Sequence, residues 1–182
     1  MEAFLDLVRS RRSIRRYQPQ DVSDEMLAQV FEAVQWSPSW ANTQCWEIVV
    51  VRDPETKQRL QETIAPKNPA TAAITGAPVL LALVGKRNVS GYYNDQVTTV
   101  LGDWFLYDLG IATQSLCLAA HRLGLGTVIV GLLDHARAAA ILNIPDTHQL
   151  VTLIPVGFAA KVGRAPERKP AASFVHAGAF GK

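Results

Sequence analysis

The sequence predicts an α+β protein with a mixed or antiparallel central sheet. Glycine-bounded apolar runs, such as residues 77–85, indicate buried strands, and apolar residues at helical spacing between 27 and 34 indicate an amphipathic helix. Strands and helices alternate, but without the regular strand-helix-strand order that a parallel sheet requires. A chain of 182 residues, of which 48% are hydrophobic and 19% charged, is typical of one globular domain. We therefore treat residues 1–182 as a single domain.

The N-terminal half is predicted to contain three helices and two strands. The first helix should turn Phe4, Leu5 and Val8 towards a core, and Ser23 is a favourable N-cap for the second. Residues 66–76 show no clear periodicity. In chain order the predicted elements are a helix over 3–10, a helix from 24 that ends before Pro38, a strand over 46–52, a helix over 53–64 and a strand over 77–85.

The C-terminal half is organised around one long helix, predicted over residues 96–122 after a polar loop. This helix is apolar almost all round, which indicates a buried central helix or an oligomer interface. Residues 158–182 are rich in Ala, Lys, Arg and Pro and predict an extended tail. Between the long helix and the tail we expect a strand over 127–130, a helix capped by Asp134 that ends near 142, and a strand over 150–156.

Several function classes are disfavoured. A net charge of +2 does not suit a general polyanion binder, and the four histidines show no metal-type spacing, so we expect neither a nucleic-acid partner nor a metal site. Gly124-Leu125-Gly126 lacks the third glycine of a dinucleotide fingerprint and lies between a helix and a strand, the reverse of the required order. The apolar runs are too short to span a bilayer, and no secretion signal is recognisable. We expect a cytoplasmic protein with two reduced cysteines.

Residues 11–17 carry the first chemical signal. Arg11-Arg12-Ser13-Ile14-Arg15-Arg16-Tyr17 places four arginines and a hydroxyl close together. Arginine presents a planar fork that matches phosphate oxygens, so this segment suits a phosphate cradle. In an extended chain, Arg11, Ser13 and Arg15 would share one face. A basic surface turn is the alternative that the segment alone leaves open.

Residues 37–46 carry the second signal. The stretch Ser37-Pro38-Ser39-Trp40-Ala41-Asn42-Thr43-Gln44-Cys45-Trp46 is a polar loop between a helix and a strand. Carboxamides offer a donor and an acceptor together, which suits the edge of a heterocycle with alternating carbonyl and N–H groups. An ordinary turn with aromatic anchors is the alternative.

These two segments, together with Ala119-Ala120-His121-Arg122-Leu123-Gly124-Leu125-Gly126, Ile144-Pro145-Asp146 and Ile154-Pro155-Val156-Gly157, resemble the FMN-dependent nitroreductase family. The resemblance covers nearly the whole chain and depends on the order and spacing of the motifs. It implies an α+β fold with a mainly antiparallel sheet flanked by helices. It also implies an intertwined homodimer that binds FMN at the subunit interface, with residues 158–182 reaching across the partner.

The resemblance further implies which residues contact the flavin. The family's residues that contact the FMN phosphate and ribityl chain match Arg11, Arg12, Ser13 and Arg15 in this chain. Arg168 matches a basic residue of the family's C-terminal tail that lies near the phosphate. The flavin-contacting loop of the partner subunit matches Ser39, Trp40, Asn42 and Gln44, and the backbone along the ring matches Ile129, Val130 and Gly131. The chain departs from the family at Cys45, where a proline is frequent, and it is compact around residues 86–96.

The implied activity is that of an FMN-dependent NAD(P)H oxidoreductase. Hydride would pass from NADH or NADPH through flavin N5, in a ping-pong cycle, to a nitroaromatic, quinone or related small-molecule acceptor. No catalytic side chain is expected, because flavin N5 carries the chemistry. Two alternatives stay open: a specialised reaction on the same fold, such as dehalogenation, flavin fragmentation or dehydrogenation, and a non-catalytic flavin-binding protein.

Overall fold

The computed structural model describes residues 1–181 and contains a four-stranded sheet with helices on both faces. The helices are α1 (Glu2–Ser10), α2 (Asp24–Gln35), α3 (Pro54–Gln61), α4 (Thr71–Gly76), α5 (Phe105–Arg122) and α6 (His135–Ile141), with short 3-10 turns at Trp40–Asn42 and Ala171–Ser173. The strands are β1 (Trp46–Val51), β2 (Val79–Lys86), β3 (Tyr92–Tyr93), β4 (Gln96–Val97), β5 (Leu125–Thr127) and β6 (His148–Phe158).

The sheet has the order β1-β2-β6-β5, and every neighbouring pair is antiparallel. Because successive side chains of a strand point to opposite faces, β2 contributes to two cores. Leu81 and Leu83 pack on the side of α2 and α5, whereas Leu80 and Ala82 pack on the side of α3, α4 and α6. A central strand covered on both faces explains the continuous apolar run over residues 77–85. The expected α+β class with a mainly antiparallel sheet is confirmed.

The two helix caps predicted from the sequence, Ser23 and Asp134, are also confirmed, and the structure adds a third at Asp53. The hydroxyl of Ser23 accepts a hydrogen bond from Met26 N–H, at 3.3 Å. The carboxylates of Asp53 and Asp134 cap α3 and α6 in the same way. Each cap satisfies a backbone donor that the first helical turn leaves without an intrahelical partner.

The largest differences from the predicted elements lie in three places. The long helix begins at Phe105 and not near residue 96, because Asn94 and Asp95 both have positive φ and turn β3 back onto β4. Helix α4 lies within residues 66–76, where its short alanine-rich turn has too few residues to show a period. The strand predicted over 127–130 is β5, which ends at Thr127, and Val130 instead pairs alone with Leu153.

The expected burial of α1 is wrong for this chain. Phe4, Leu5 and Val8 were predicted to face a core, yet they are exposed to 58%, 38% and 38%. The apolar periodicity of α1 is present, but within residues 1–181 no element covers Phe4, Leu5 and Val8. An uncovered apolar helix face is a feature of surfaces that associate with other molecules.

Gly126 on β5 packs closely against Ile14 of the arginine segment. A Cβ at this position would lie 2.5 Å from Ile14 Cγ1. The Gly126→Ala variant is therefore expected to lose about 1–3 kcal/mol of unfolding free energy through overpacking, measured by urea denaturation. Gly76→Ala is the matched control, because nothing lies within 4 Å of its added Cβ. Equal midpoints for the two variants would contradict the close contact.

Among residues 1–181, no helix combines the length and the apolar character needed to cross a membrane.

Candidate functional site

The arginine segment is tied to the sheet at several points. After α1 the chain runs along β5, where Ser13 forms a parallel bridge with Thr127 and Ile14 N–H donates to Thr127 O at 2.9 Å. The hydroxyl of Tyr17 lies 2.8 Å from the carbonyl oxygen of Ile14 and 3.1 Å from that of Pro155. Burial raises the pKa of Tyr17, so this hydroxyl stays a neutral donor. The backbone that carries the arginines is thus held in place.

The arginine segment and the C-terminal tail line one cleft of about 260 Å³. The cleft contains five arginines and a hydroxyl, and no acidic side chain lines it; the polar lining residues are Arg11, Arg12, Ser13, Arg15, Arg164 and Arg168. None of these arginines forms an ion pair within residues 1–181. A cleft with this donor set attracts an anion with several oxygens, such as a phosphate.

The side chains of residues 11–15 alternate between two faces, as expected for an extended segment, only in part. Ser13 and Arg15 line the cleft, and Ile14 between them is buried against Gly126. Strict alternation would place Arg12 on the opposite face with Ile14, yet Arg12 also lines the cleft, as the resemblance implies. Its guanidinium bends back and donates to the carbonyl oxygens of Arg9 and Arg11, at 2.5 and 2.7 Å.

His121 lies next to this cleft, at the end of α5. Its Nε2 is 2.8 Å from the hydroxyl of Ser10, and it shares a smaller cavity with Arg12. Burial lowers the pKa of His121, and the positive charges of Arg11 and Arg12 lower it further. The imidazole is therefore neutral in the folded protein at a pH where an exposed histidine is partly charged.

This lowered pKa predicts a pH dependence of stability. Because the unfolded chain binds the proton at a higher pH than the folded chain, stability should be lost as the pH falls below about 6.5. Between about pH 7 and pH 5, the His121→Gln variant is expected to lose less stability than the parent in urea denaturation. His176→Gln, in the exposed tail, is the control. Parallel curves for parent and His121→Gln would show that another group governs this range.

The loop over residues 39–44 has an unusual backbone. Ala41, Asn42 and Gln44 have φ values of 46°, 55° and 48°, a region that residues other than glycine seldom adopt. The hydroxyl of Ser39 accepts a hydrogen bond from Gln44 N–H at 2.9 Å, which closes the loop. The side chains of Asn42 and Gln44 are exposed, so both carboxamides are available to a ligand. Such strain is concentrated at binding and catalytic sites.

The loop and the arginine cleft are far apart within one chain. Trp40 contacts Asp108 near the start of α5, whereas Ser10 contacts His121 at its end. These two points of α5 are separated by about 20 Å, at about 1.5 Å per helical residue. The described cavities that Ser39, Trp40 and Gln44 line include none of the cleft arginines. The structure therefore brings together five of the twelve predicted site residues in the cleft, and the four predicted residues of the loop lie at a distance.

The segment over residues 129–131 is only partly accessible. Ile129 is 53% exposed and Gly131 is exposed, but Val130 is buried. Both backbone groups of Val130 pair with Leu153, at 2.9 and 3.0 Å. A ligand lying along this segment could thus contact Ile129 and Gly131, whereas Val130 has no free backbone group to offer.

Sequence reasoning did not single out three residues that the geometry places at these sites. Arg164 joins the cleft, and its position in the basic tail was the available signal. Asp108 supports the loop, and an aspartate in an otherwise apolar stretch could have drawn attention to it. The hydroxyl of Thr43 is buried without a hydrogen-bond partner in the described part of the chain. A polar atom of this kind in the loop fits contact with a ligand or a second chain.

A larger cavity, of about 460 Å³, lies elsewhere, between α6 and the start of β6. Arg87, His135, Asp146 and His148 stand around it. Arg87 already bonds to Gln149, His135 to the carbonyl of Val151 and His148 to Thr147. Residues 1–181 contain no cluster of His, Cys, Asp and Glu that could hold a metal ion. We therefore favour the arginine cleft, whose arginines have no acidic partner.

Comparison with known sequences gives matches over most of the chain. The profile of the nitroreductase family matches residues 8–73 and 65–158. The NADH dehydrogenase of Thermus thermophilus is 30% identical over 185 residues, which cover 88% of this chain and 88% of that protein. Iodotyrosine deiodinase 1 of Rattus norvegicus is 28% identical over 200 residues, which cover 92% of this chain and 66% of that protein.

Comparison with solved structures gives the same overall architecture. The structure of B. megaterium NfrA2 superposes with a TM-score of 0.83 at 28% identity, covering 99% of this chain and 76% of that one. An FMN-dependent nitroreductase from Clostridium difficile R20291 superposes with a TM-score of 0.80 at 22% identity, covering 97% and 99%. With this coverage, the shared architecture includes the extended tail as well as the sheet and helices.

Proposed function

The chain belongs to the nitroreductase family and has its α+β fold, and from that premise we propose that it is an FMN-dependent oxidoreductase driven by NADH or NADPH. The observation that carries the proposal is the cleft in which Arg11 and Arg15 meet Arg168 from the opposite end of the chain. Two distant basic segments that converge without any acidic residue suit a phosphate dianion better than an ordinary surface turn.

The residues of the cleft fit FMN. Arg11, Arg15 and Arg168 would hold the phosphate through charge-assisted hydrogen bonds, with Ser13 as a neutral donor. Ile129 and Gly131, both exposed, would lie along the flavin ring. The positive cleft would also favour negative charge on a bound flavin, since cationic groups stabilise nearby anions.

The remaining contacts would come from a second copy of the chain. One FMN held in the arginine cleft cannot also touch residues 39–44 of the same chain if the loop lies about 20 Å away along α5. In a homodimer, Asn42 of the partner subunit and Gln44 of the partner subunit would orient the ring edge. The uncovered apolar face of α1 supports this association.

The chemistry supplied by bound FMN is electron transfer between a nicotinamide donor and a nitroaromatic, quinone or related acceptor. This chain would bind and orient the cofactor and leave one ring face open to both substrates in turn. A second candidate function is a specialised reaction on the same fold. Iodotyrosine deiodinase 1 of Rattus norvegicus, at 28% identity over 92% of this chain, favours reductive dehalogenation as that reaction.

The visible spectrum of the purified protein tests the proposal. We expect flavin absorption that bleaches within seconds when NADH or NADPH is added without oxygen, and that returns when a quinone or nitroaromatic is supplied. Flavin that stays oxidised with both donors would favour the specialised reaction or a non-catalytic flavin-binding role. A colourless protein that does not take up added FMN would contradict the proposed function.

A further inference from the structure

Asp108 is the only acidic residue of α5, and it is almost fully buried at 1% exposure. Its carboxylate accepts hydrogen bonds from Trp40 N–H, at 3.1 and 3.2 Å, and from the hydroxyl of Ser90, at 2.5 Å. The thiol of Cys45 lies 3.6 Å from the same carboxylate. No cation forms an ion pair with Asp108 in the described part of the chain. Neutral donors alone therefore balance this buried charge.

Cys45 acts as a donor because it stays protonated. Burial and then the neighbouring Asp108 carboxylate raise the pKa of the Cys45 thiol to about 12. With Ser90 on one side and the 39–45 loop on the other, Asp108 joins three parts of the chain that are distant in sequence. Burying a carboxylate is costly unless it is fully hydrogen-bonded, and an apolar side chain would pack on α5 at lower cost. The buried carboxylate of Asp108 therefore indicates a role other than packing.

The backbone conformation of the 39–44 loop indicates what this role is. Three of its residues have left-handed φ values, a backbone course that persists only where the surroundings enforce it. Trp40 N–H is bound by Asp108 at the start of the loop, and Gln44 N–H is bound by Ser39 at its end. Charge-assisted hydrogen bonds are about twice as strong as neutral ones. The hydrogen bond from Trp40 N–H to Asp108 is thus stronger than the one from Gln44 N–H to Ser39.

We propose that Asp108 is a positioning residue that holds the 39–44 loop, through Trp40 N–H, in the shape that presents Asn42 and Gln44 to the flavin. This inference rests on the proposed flavin function. Asp108 touches no reacting atom, and its effect passes through the loop. Its removal should therefore change how the loop binds flavin more than it changes the folding of the rest of the chain.

Two variants separate this role from a purely structural one. Asp108→Asn keeps the size of the side chain but removes the charge that binds Trp40 N–H. Ser90→Ala is the matched control, because it removes another donor from the same carboxylate without touching the loop. Two properties are measured on parent and variants: amide hydrogen exchange of residues 40–44, without flavin, and the dissociation constant and reduction potential of FMN.

We expect Asp108→Asn to speed exchange at Trp40 and Gln44 and to weaken FMN binding about tenfold, with a shifted flavin potential. Ser90→Ala should leave loop exchange and FMN affinity within about twofold of the parent, even where it lowers the melting temperature. If Asp108→Asn fails to fold, hydrogen exchange in the parent decides the point: the Trp40 N–H, bound to Asp108, should exchange more slowly than the N–H of the exposed neighbour Ala41, and equal rates would contradict the inference.

Three results would overturn the inference. Unchanged exchange at Trp40 in Asp108→Asn would show that Asp108 does not hold the loop. Faster exchange with unchanged FMN affinity and potential would show that loop shape does not serve the flavin. Equal effects of Asp108→Asn and Ser90→Ala on FMN affinity would show that Asp108 has a structural role only. A parent protein that binds no FMN would instead contradict the proposed function, and the exchange data would still decide whether Asp108 holds the loop.

Discussion

Replacing Arg11 and Arg15 together with alanine is expected to release FMN from the protein. Both guanidinium groups line the cleft, and neither has an acidic partner within residues 1–181. A hydrogen bond to a charged group contributes about 1.5–3 kcal/mol, so the loss of two should weaken FMN binding at least about 100-fold. Isothermal titration of the flavin-free protein with FMN measures this change.

Two comparisons make the test specific. Riboflavin lacks the phosphate, so its affinity should be nearly the same for parent and double variant. Arg9→Ala with Arg59→Ala is the matched control, because it removes the same charge from two helices outside the cleft. Full FMN occupancy in the Arg11/Arg15 variant would place the phosphate elsewhere. Equal losses of riboflavin and FMN affinity would point to a general disturbance of the fold.

Replacing Gly110 with arginine is expected to convert the proposed dimer into a monomer and to abolish the proposed flavin binding. Gly110 lies on a face of α5 that residues 1–181 leave largely uncovered: Tyr107 and Gln114 are exposed, and Ile111 and Leu118 are half-buried. Nothing lies within 4 Å of a Cβ added to Gly110, so the isolated chain can accommodate the larger residue. Arginine is also a better helix former than glycine, so the fold itself should not weaken.

Light scattering coupled to size exclusion gives the oligomeric state, and the visible spectrum of the same fractions gives the flavin content. Gly76→Arg is the control, because its added Cβ also has no neighbour within 4 Å and it lies on α4, away from α5. We expect Gly76→Arg to keep the oligomeric state and the flavin content of the parent. A Gly110→Arg variant that stays dimeric with bound flavin would show that this face of α5 is not the interface.

Much of the fold was predictable because local chemistry decides it. The apolar run of β2 reflects burial on both faces of the sheet, and the caps at Ser23, Asp53 and Asp134 satisfy backbone donors within a few residues. The boundary errors arose where local signals compete. Residues 96–104 contain apolar side chains that suggested an earlier start for α5. The turn at Asn94 and Asp95 instead places these residues in a hairpin and a loop.

The chemistry of the candidate site was predictable from residue types, and its assembly was not. Four arginines within residues 11–16 predict an anion site, and two carboxamides in one loop predict contacts to a polar heterocycle. That Arg164 joins Arg168 in the cleft depends on the path of the tail. Likewise, Asp108 reaches Trp40 only because α5 packs beneath the loop.

The sequence by itself determined the class of the fold, the helix caps and the kind of ligand that the basic segments suit. These properties follow from hydrophobic periodicity, short-range hydrogen bonds and side-chain charge, all of which depend on residues that are close together in the sequence. Only the tertiary structure decided which apolar faces stay uncovered, such as that of Phe4 and Val8 on α1, and which distant residues meet. The reason is that packing and convergence are long-range: they depend on the course of the whole chain, which no local pattern contains.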